Sequence, residues 1–163
     1  MENQASTPNH NNIIIVRGDS NDPDFSALVA LLDKDLLERY GEQQAFFDQF
    51  NKVDTIKNTV VAYLNGRPVG CGAIKRFSDG VMEIKRMFVI DEQRGKGIAR
   101  KILAELENWA IELNSHKCIL ETGKSQPEAI YLYQKIGYSI TENYEPYIGV
   151  ENSVCMEKML PAN

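Results

Sequence analysis

The sequence predicts an α/β (α+β) fold in which a mixed, mostly antiparallel central sheet is flanked by helices. Two observations carry this prediction. Three apolar strands joined by two short turns lie in the middle of the chain, and a strand, a helix and a strand follow in succession. Short turns make the first three strands an antiparallel meander, whereas an intervening helix makes the next pair of strands parallel through a right-handed crossover. Helices then cover the sheet.

The chain is expected to form one domain over residues 13–163, preceded by a polar, disordered tail over residues 1–12. The domain begins with the β-branched run Ile13–Arg17, which predicts a strand. Asp22-Pro23-Asp24 then marks a helix start. Apolar residues follow at helical spacing, namely Phe25, Leu28, Val29, Leu32, Leu36 and Leu37. A second helical segment is predicted over residues 43–50.

The predicted meander has three strands. The runs 59–64 and 69–74 flank Asn65-Gly66, a strong signal for a tight hairpin turn. The second run then meets a third strand, 81–90, across residues 78–80.

A long amphipathic helix is predicted over residues 98–114, with an apolar face at 3.6-residue spacing formed by Ile98, Ile102, Leu106, Trp109, Ala110 and Leu113. The strand 118–122 follows it. A further helix over about 126–136 is predicted to begin with a capping box between Ser125 and Glu128, with Pro127 in its first turn. Residues 138–144 and 153–159 are predicted closing strands.

Composition excludes several function classes. The 163 residues carry a net charge of −5 and a sequence pI of about 5.1, which disfavours nucleic acid and anionic membranes as partners. No run approaches the ~18 apolar residues of a membrane helix, and the N-terminus lacks a signal-peptide pattern, so a cytoplasmic protein is expected. Three widely spaced cysteines, Cys71, Cys118 and Cys155, indicate core positions and no metal or disulfide site.

The segment from Arg94 to Ala99 predicts an anion site. Gly95 and Gly97 remove Cβ atoms where a strand turns into a helix, so backbone N–H groups can point at one ligand. The helix N-terminus at Ile98 adds unpaired donors and a partial positive charge. Arg94 and Lys96 add full charges, and together these groups would cradle a pyrophosphate.

This segment resembles the acyl-CoA-binding motif of the GNAT superfamily of N-acetyltransferases, through Arg94, Gly97 and Ala99. The segment Tyr133-Gln134-Lys135-Ile136-Gly137-Tyr138 is similar to a second family motif, and the order of elements is also the family's. The resemblance implies acetyl-CoA as acyl donor, with Phe88 and Val89 offering backbone groups to its pantetheine arm. Many members carry an Asn near the start of the next helix that binds the pantetheine arm, whereas this chain has Ser125-Gln126-Pro127-Glu128 there.

Three side chains are candidates for catalysis. Tyr133 lies on the apolar stripe of its helix and would keep its proton at neutral pH, and the resemblance implies that it protonates the departing thiolate. Glu83, on the strand before the glycine loop, and Glu121, at the end of the next strand, are candidate bases. Glu83 is slightly favoured because some family members use a glutamate there. A water chain is the alternative to both.

The acceptor is predicted only as a class: a small-molecule amine or a protein amino group. Tyr40, Phe46 and Phe47, or the segment 143–149, could wall its pocket, although a core stripe and a plain loop are the simpler interpretations. Lys85 and Arg86 alternate along their strand, which favours solvated positions for this basic pair. The resemblance also makes a homodimer an option.

Two alternatives come from other classes. Thr122-Gly123-Lys124-Ser125 resembles the end of a phosphate-binding loop, but the glycine that the full motif needs is replaced by Cys118, so a nucleotide hydrolase is disfavoured. A CoA-binding sensor or interaction module without catalysis would keep the same fold.

Overall fold

The computed structural model of the protein describes residues 12–41 and 56–162. The tail before Asn12 and the predicted helical segment 43–50 lie outside the described residues.

The described residues form one seven-stranded sheet with the strand order β1-β2-β3-β4-β5-β7-β6. The strands are β1 Ile13–Gly18, β2 Asn58–Leu64, β3 Arg67–Ser78, β4 Val81–Val89, β5 Lys117–Gly123, β6 Ser139–Thr141 and β7 Ser153–Met159. The helices are α1 Pro23–Tyr40, α2 Ile98–Glu112 and α3 Pro127–Ile136. All neighbouring strands are antiparallel except β4 and β5, which are parallel. The predicted mixed, mostly antiparallel sheet with flanking helices is confirmed.

The tight turn between β2 and β3 forms as the sequence predicted. Asn65 and Gly66 both have positive φ, 51° and 79°, which is the backbone conformation of a type I′ hairpin turn. This turn twists in the same sense as the strands it joins, so it sets their register.

The parallel pair β4 and β5 stays together for only three residues. Val81 to Glu83 pair with Lys117 to Ile119, and no described strand pairs with the rest of β4 on this side. β5 instead continues along β7 as far as Gly123. The sheet therefore opens into a V between the second half of β4 and the end of β5.

A bulge in β4 overturns the prediction that Lys85 and Arg86 lie on opposite, solvated faces. Cys71 pairs with Phe88 but Ala73 pairs with Lys85, so β4 carries an extra residue there, and Arg86 has a positive φ of 59°. The extra residue breaks the alternation of side chains. Lys85 is buried on the same side as Glu83, and Arg86 forms a 2.6 Å ion pair with Asp33 of α1.

The core lies between the sheet and the helices. Helix α1 begins at the N-cap Asp22. Helix α2 packs closely against β3, since a Cβ atom at Gly72 would lie 2.9 Å from the side chains of Ile102 and Leu106. The three cysteines are buried in the packed interior, as predicted. Two predicted core positions are wrong: Leu37 is 58% exposed on the outer side of α1, and Leu113 lies just beyond the end of α2 and is 43% exposed.

The predicted start of α3 is wrong in its capping. Its N-cap is Gln126, not Ser125, and no side chain caps it. The Ser125 carbonyl accepts a hydrogen bond from Arg39 of α1. The Gln126 side-chain oxygen accepts hydrogen bonds from the Tyr40 and Thr122 hydroxyls. Both residues are therefore engaged in contacts other than helix capping. The predicted strand 138–144 is also shorter, since β6 holds only Ser139–Thr141.

Candidate active site

The glycine loop joins β4 to α2 in a conformation that requires glycine at two positions. Gly95 has a φ of 77°, and Gly97, the N-cap of α2, has a φ of 81°. Other residues pay roughly 1–2 kcal/mol for this left-handed conformation. Gly95 and Gly97 both line a cleft at the N-terminus of α2, and an uncapped helix N-terminus favours an anion.

Arg94 is anchored to the strand that precedes the loop. Its Nε donates a 2.9 Å hydrogen bond to the Val89 carbonyl, and its guanidinium stacks over the Phe88 ring at 5.5 Å. Arg94 also forms ion pairs with Asp91 at 2.6 Å and with Asp35 of α1 at 3.9 Å. The positive charge of Arg94 is thus fixed at the mouth of the V.

A cleft of about 360 Å³ brings together seven of the eight predicted cofactor-binding residues. They are Phe88, Val89, Arg94, Gly95, Gly97, Ile98 and Ala99. The eighth, Lys96, points elsewhere: its ammonium is exposed and donates to the Gln93 amide oxygen at 3.1 Å. We call this cavity the glycine-loop cleft.

A second cleft of about 130 Å³ lies across the opening of the V, and we call it the carboxylate cleft. Elements α1, β4, β5 and α3 line it, and its polar side chains include Tyr40, Lys85 and Glu121. Tyr133 and Met87 line both clefts. Leu32, Gln126 and Ala129 also line both, so the two cavities adjoin along a shared wall that includes Tyr133.

Tyr133 is buried on the sheet-facing side of α3, as its position on the apolar stripe predicted, whereas Tyr131 is 61% exposed. Its ring packs edge-on against Tyr138 at a centroid distance of 5.8 Å. Burial raises the pKa of the Tyr133 hydroxyl well above its usual range, and the nearby Glu121 charge raises it further. The hydroxyl keeps its proton at neutral pH and can donate it.

Glu121 stands at the end of β5 and lines the carboxylate cleft. Burial raises the pKa of this carboxyl to about 7, and the Ser153 hydroxyl and the Lys85 ammonium oppose this rise because they stabilise the carboxylate form. A carboxyl that titrates near neutrality can both accept and release a proton under physiological conditions. Glu121 is therefore chemically suited to act as a base at this position.

Glu83 is held by partners that the sequence pattern did not reveal. The Tyr144 hydroxyl donates a 2.7 Å hydrogen bond to its Oε2 atom, and the Lys85 ammonium lies 3.7 Å from its Oε1 atom. Lys85 also contacts the Tyr147 hydroxyl at 3.5 Å. Glu83 lies outside the lining of the carboxylate cleft. Tyr144 is 61 positions from Glu83, so no local signal could have paired them.

Tyr40 is a cleft residue, which corrects the interpretation of this side chain as plain core. Its hydroxyl lies so close to Gly123 that a Cβ there would be 1.6 Å from it, and it donates to the Gln126 amide oxygen at 3.2 Å. Gly123 is thus explained by the close approach of Tyr40 and not by phosphate binding. Phe46 and Phe47 lie outside the described residues.

The structure also bears on the phosphate-loop alternative. The Lys124 N–H donates to the Asn152 carbonyl at 2.8 Å and the Gln126 N–H to the Gly123 carbonyl at 2.9 Å. These backbone donors face neighbouring carbonyls and are not arranged around an open anion site.

Among residues 12–41 and 56–162, no helix is long and apolar enough to cross a membrane. In the same part of the chain, no three His, Cys, Asp or Glu side chains are grouped so that they could hold a metal ion.

Comparisons with known proteins agree with this architecture. Residues 25–138 match the model of the acetyltransferase (GNAT) family. An IAA acetyltransferase of Azospirillum brasilense is 39% identical over 102 residues, which are 62% of this chain and 67% of that protein. An uncharacterized N-acetyltransferase of Escherichia coli K12 is 32% identical over 105 residues, 62% of this chain and 60% of that protein. The matched stretch thus spans about two thirds of these relatives or less.

A solved structure extends the likeness to nearly the whole chain. The crystal structure of a Klebsiella pneumoniae protein, described as an acyl-CoA N-acyltransferase, superposes with a TM-score of 0.76 at 33% identity. The match covers 91% of this chain and 98% of that one.

Proposed function

Because this chain belongs to the acetyltransferase (GNAT) family, a family of acyltransferases, we propose that it moves an acetyl group from acetyl-CoA to a primary amine. The amine attacks the thioester directly while both substrates are bound. The observation that carries this proposal is the wall that the two clefts share, which includes Tyr133, within the V between β4 and β5. The glycine-loop cleft suits acetyl-CoA and the carboxylate cleft suits an amine. Tyr133, in the wall that the two clefts share, is a proton donor.

The donor side fits a CoA thioester by its chemistry. Gly95 and Gly97 line the glycine-loop cleft, and the uncapped α2 N-terminus adds its partial positive charge. The Ile90 N–H bonds to the Val69 carbonyl in β3, so the antiparallel pattern turns the Val89 peptide groups away from β3 and toward the V. We therefore propose that the Val89 N–H pairs with a pantetheine amide, since the Val89 carbonyl already accepts from Arg94, and that Arg94 holds the phosphates. The Phe88 peptide groups face β3 by the same alternation, with the Phe88 carbonyl oxygen 3.0 Å from the Cβ position of Gly70, so the Phe88 backbone is not proposed to pair with the pantetheine arm.

The acceptor side supplies the base. We assign this role to Glu121 because it lines the carboxylate cleft, while Glu83 lies behind it and holds Tyr144 and Lys85. Glu121 takes a proton from the bound ammonium, and the neutral nitrogen forms a bond to the thioester carbon. As the carbon–sulfur bond breaks, Tyr133 gives its proton to the sulfur. The nitrogen releases its second proton to solvent as the amide forms, and the proton on Glu121 returns Tyr133 to its neutral form, so the products are an amide, CoA thiol and one proton.

The test is thiol release from acetyl-CoA in the presence of separate primary amines and of lysine-containing peptides. IAA is tested as a separate acceptor because the Azospirillum relative is named for it. The protein's own thiols are buried, so they add little background. Release that depends on the amine, together with an N-acetyl product identified by mass spectrometry, supports the proposal. Tight acetyl-CoA binding with no turnover on any acceptor would favour the sensor alternative instead.

A further inference from the structure

A carboxylate lies on the buried face of α2. The buried residues of this helix are Ile98, Ile102, Leu103, Leu106, Glu107 and Ala110. Glu107 is 8% exposed, and its charged form loses most of its hydration at this position. A hydrophobic side chain of similar volume would fill the same space without that loss. Packing alone therefore does not account for the carboxylate.

Glu107 binds two side chains from other parts of the fold. Tyr138, between α3 and β6, donates a 3.0 Å hydrogen bond from its hydroxyl to the Glu107 Oε2 atom. The Lys158 ammonium of β7 donates a 2.7 Å hydrogen bond to the Oε1 atom. Lys158 also lies over the Tyr138 ring, 5.9 Å from its centroid. The Tyr138 ring is thereby fixed at its hydroxyl end and over one face.

Tyr138 in turn contacts the proposed proton donor. Its N–H donates to the Tyr133 carbonyl at 2.9 Å, and the two rings pack edge-on with their centroids 5.8 Å apart. In the part of the chain that the structure describes, the Tyr133 hydroxyl has no hydrogen-bond partner. The direction in which this hydroxyl points therefore depends on how its ring is packed, and the Tyr138 ring is part of that packing.

We propose that Glu107 is a positioning residue, which fixes the Tyr138 ring and through it the orientation of the Tyr133 hydroxyl in the wall that the two clefts share. This inference rests on the proposed function, in which Tyr133 protonates the departing sulfur. Glu107 itself lines neither cleft. It belongs to the helix whose N-terminus lines the glycine-loop cleft, so α2 places both the donor site and the proton donor. A displacement of about 1 Å in such an arrangement can lower a rate by about 10²-fold.

Kinetics in two backgrounds test the proposal. Glu107→Ala should lower kcat by about tenfold or more at an unchanged KM for acetyl-CoA, and Glu107→Gln should lower it much less, because the amide oxygen can still accept from Tyr138. Added to Tyr133→Phe, which has no proton donor left to position, Glu107→Ala should change kcat by less than about twofold. Equal losses in both backgrounds, or no loss in either, would overturn the proposal. Tyr138→Phe removes the same hydrogen bond at nearly constant volume, so it replaces Glu107→Ala if that variant does not fold.

A spectroscopic measurement separates this inference from the reaction itself. The chain has seven tyrosines, so labelling with 3-fluorotyrosine gives a ¹⁹F spectrum in which the Tyr133 resonance is the one absent from Tyr133→Phe. Glu107→Ala should shift or broaden this resonance. Glu105→Ala is the matched control on α2, because it breaks a 2.6 Å ion pair with Arg17 and should leave the resonance in place. If no amine turns over but the resonance moves only in Glu107→Ala, the proposed function fails and the inference stands. A resonance that stays in place in Glu107→Ala would refute the inference.

Discussion

The Tyr144 hydroxyl donates a 2.7 Å hydrogen bond to the Oε2 atom of Glu83, across 61 positions of sequence. This contact distinguishes the environment of Glu83 from that of Glu121, the two carboxylates that the sequence predicted as candidate bases. Glu83 is held by Tyr144 and Lys85, whereas Glu121 faces the cleft where an acceptor would sit. This difference leads directly to the first prediction.

Substitution of the two glutamates should have unequal effects. Glu121→Gln should lower kcat/KM by about 10²–10⁴-fold, the usual contribution of a general base. Glu83→Gln should cost much less, because the amide oxygen can still accept the Tyr144 hydroxyl. Both are measured by steady-state thiol release, with acetyl-CoA affinity as the control for folding. Equal activity of both variants with the wild type would favour a water chain as the proton route.

Tyr133→Phe should lower kcat while leaving acetyl-CoA binding nearly unchanged. The phenyl ring keeps its edge-on contact with Tyr138, so only the proton donor is lost. A reduction of about 10²-fold or more is expected for loss of a general acid. Tyr131→Phe is the matched control, since that tyrosine lies on the exposed side of the same helix. A Tyr133→Phe enzyme with full kcat would remove Tyr133 from the chemistry.

The activity should rise with pH through neutrality. Burial raises the Glu121 pKa from its ordinary value of 4.5 to about 7, so the carboxyl is largely protonated below this pH and can neither bind an ammonium nor accept its proton. As pH rises through about 7, the carboxylate forms and kcat/KM should increase to a plateau. The profile is measured with an acceptor amine from the panel at constant ionic strength. The acidic limb should disappear in Glu121→Gln; its persistence there would assign it to another group.

Gly97→Ala should weaken acetyl-CoA binding by about tenfold or more, because alanine pays roughly 1–2 kcal/mol in the left-handed conformation and shifts the backbone donors at the α2 N-terminus. Gly66→Ala is the matched control. Gly66 has a similar φ of 79° in the β2–β3 turn, and a Cβ there also meets nothing within 4 Å. It should therefore lose comparable stability in thermal unfolding while keeping its acetyl-CoA affinity. Parallel losses of affinity in both variants would mean that general destabilisation, not the cradle, is being measured.

The sequence alone determined the order of the elements, the parallel crossover and the glycine loop, and the predicted family and acyltransferase class are confirmed. These features are local. The turn at Asn65-Gly66, the apolar spacing of α2 and the left-handed glycines each depend on neighbouring residues, whose conformational preferences a sequence displays directly.

Only the tertiary structure decided which charged groups face the cleft. The bulge at Arg86 brings that cation to Asp33 of α1, Tyr144 reaches Glu83 from a distant loop, and Tyr40 lies against Gly123. The separation of β4 from β5 after Glu83 then leaves Glu121 at the opening. Each contact joins residues far apart in the chain, and its energy comes from burial and charge pairing that exist only once the sheet has formed.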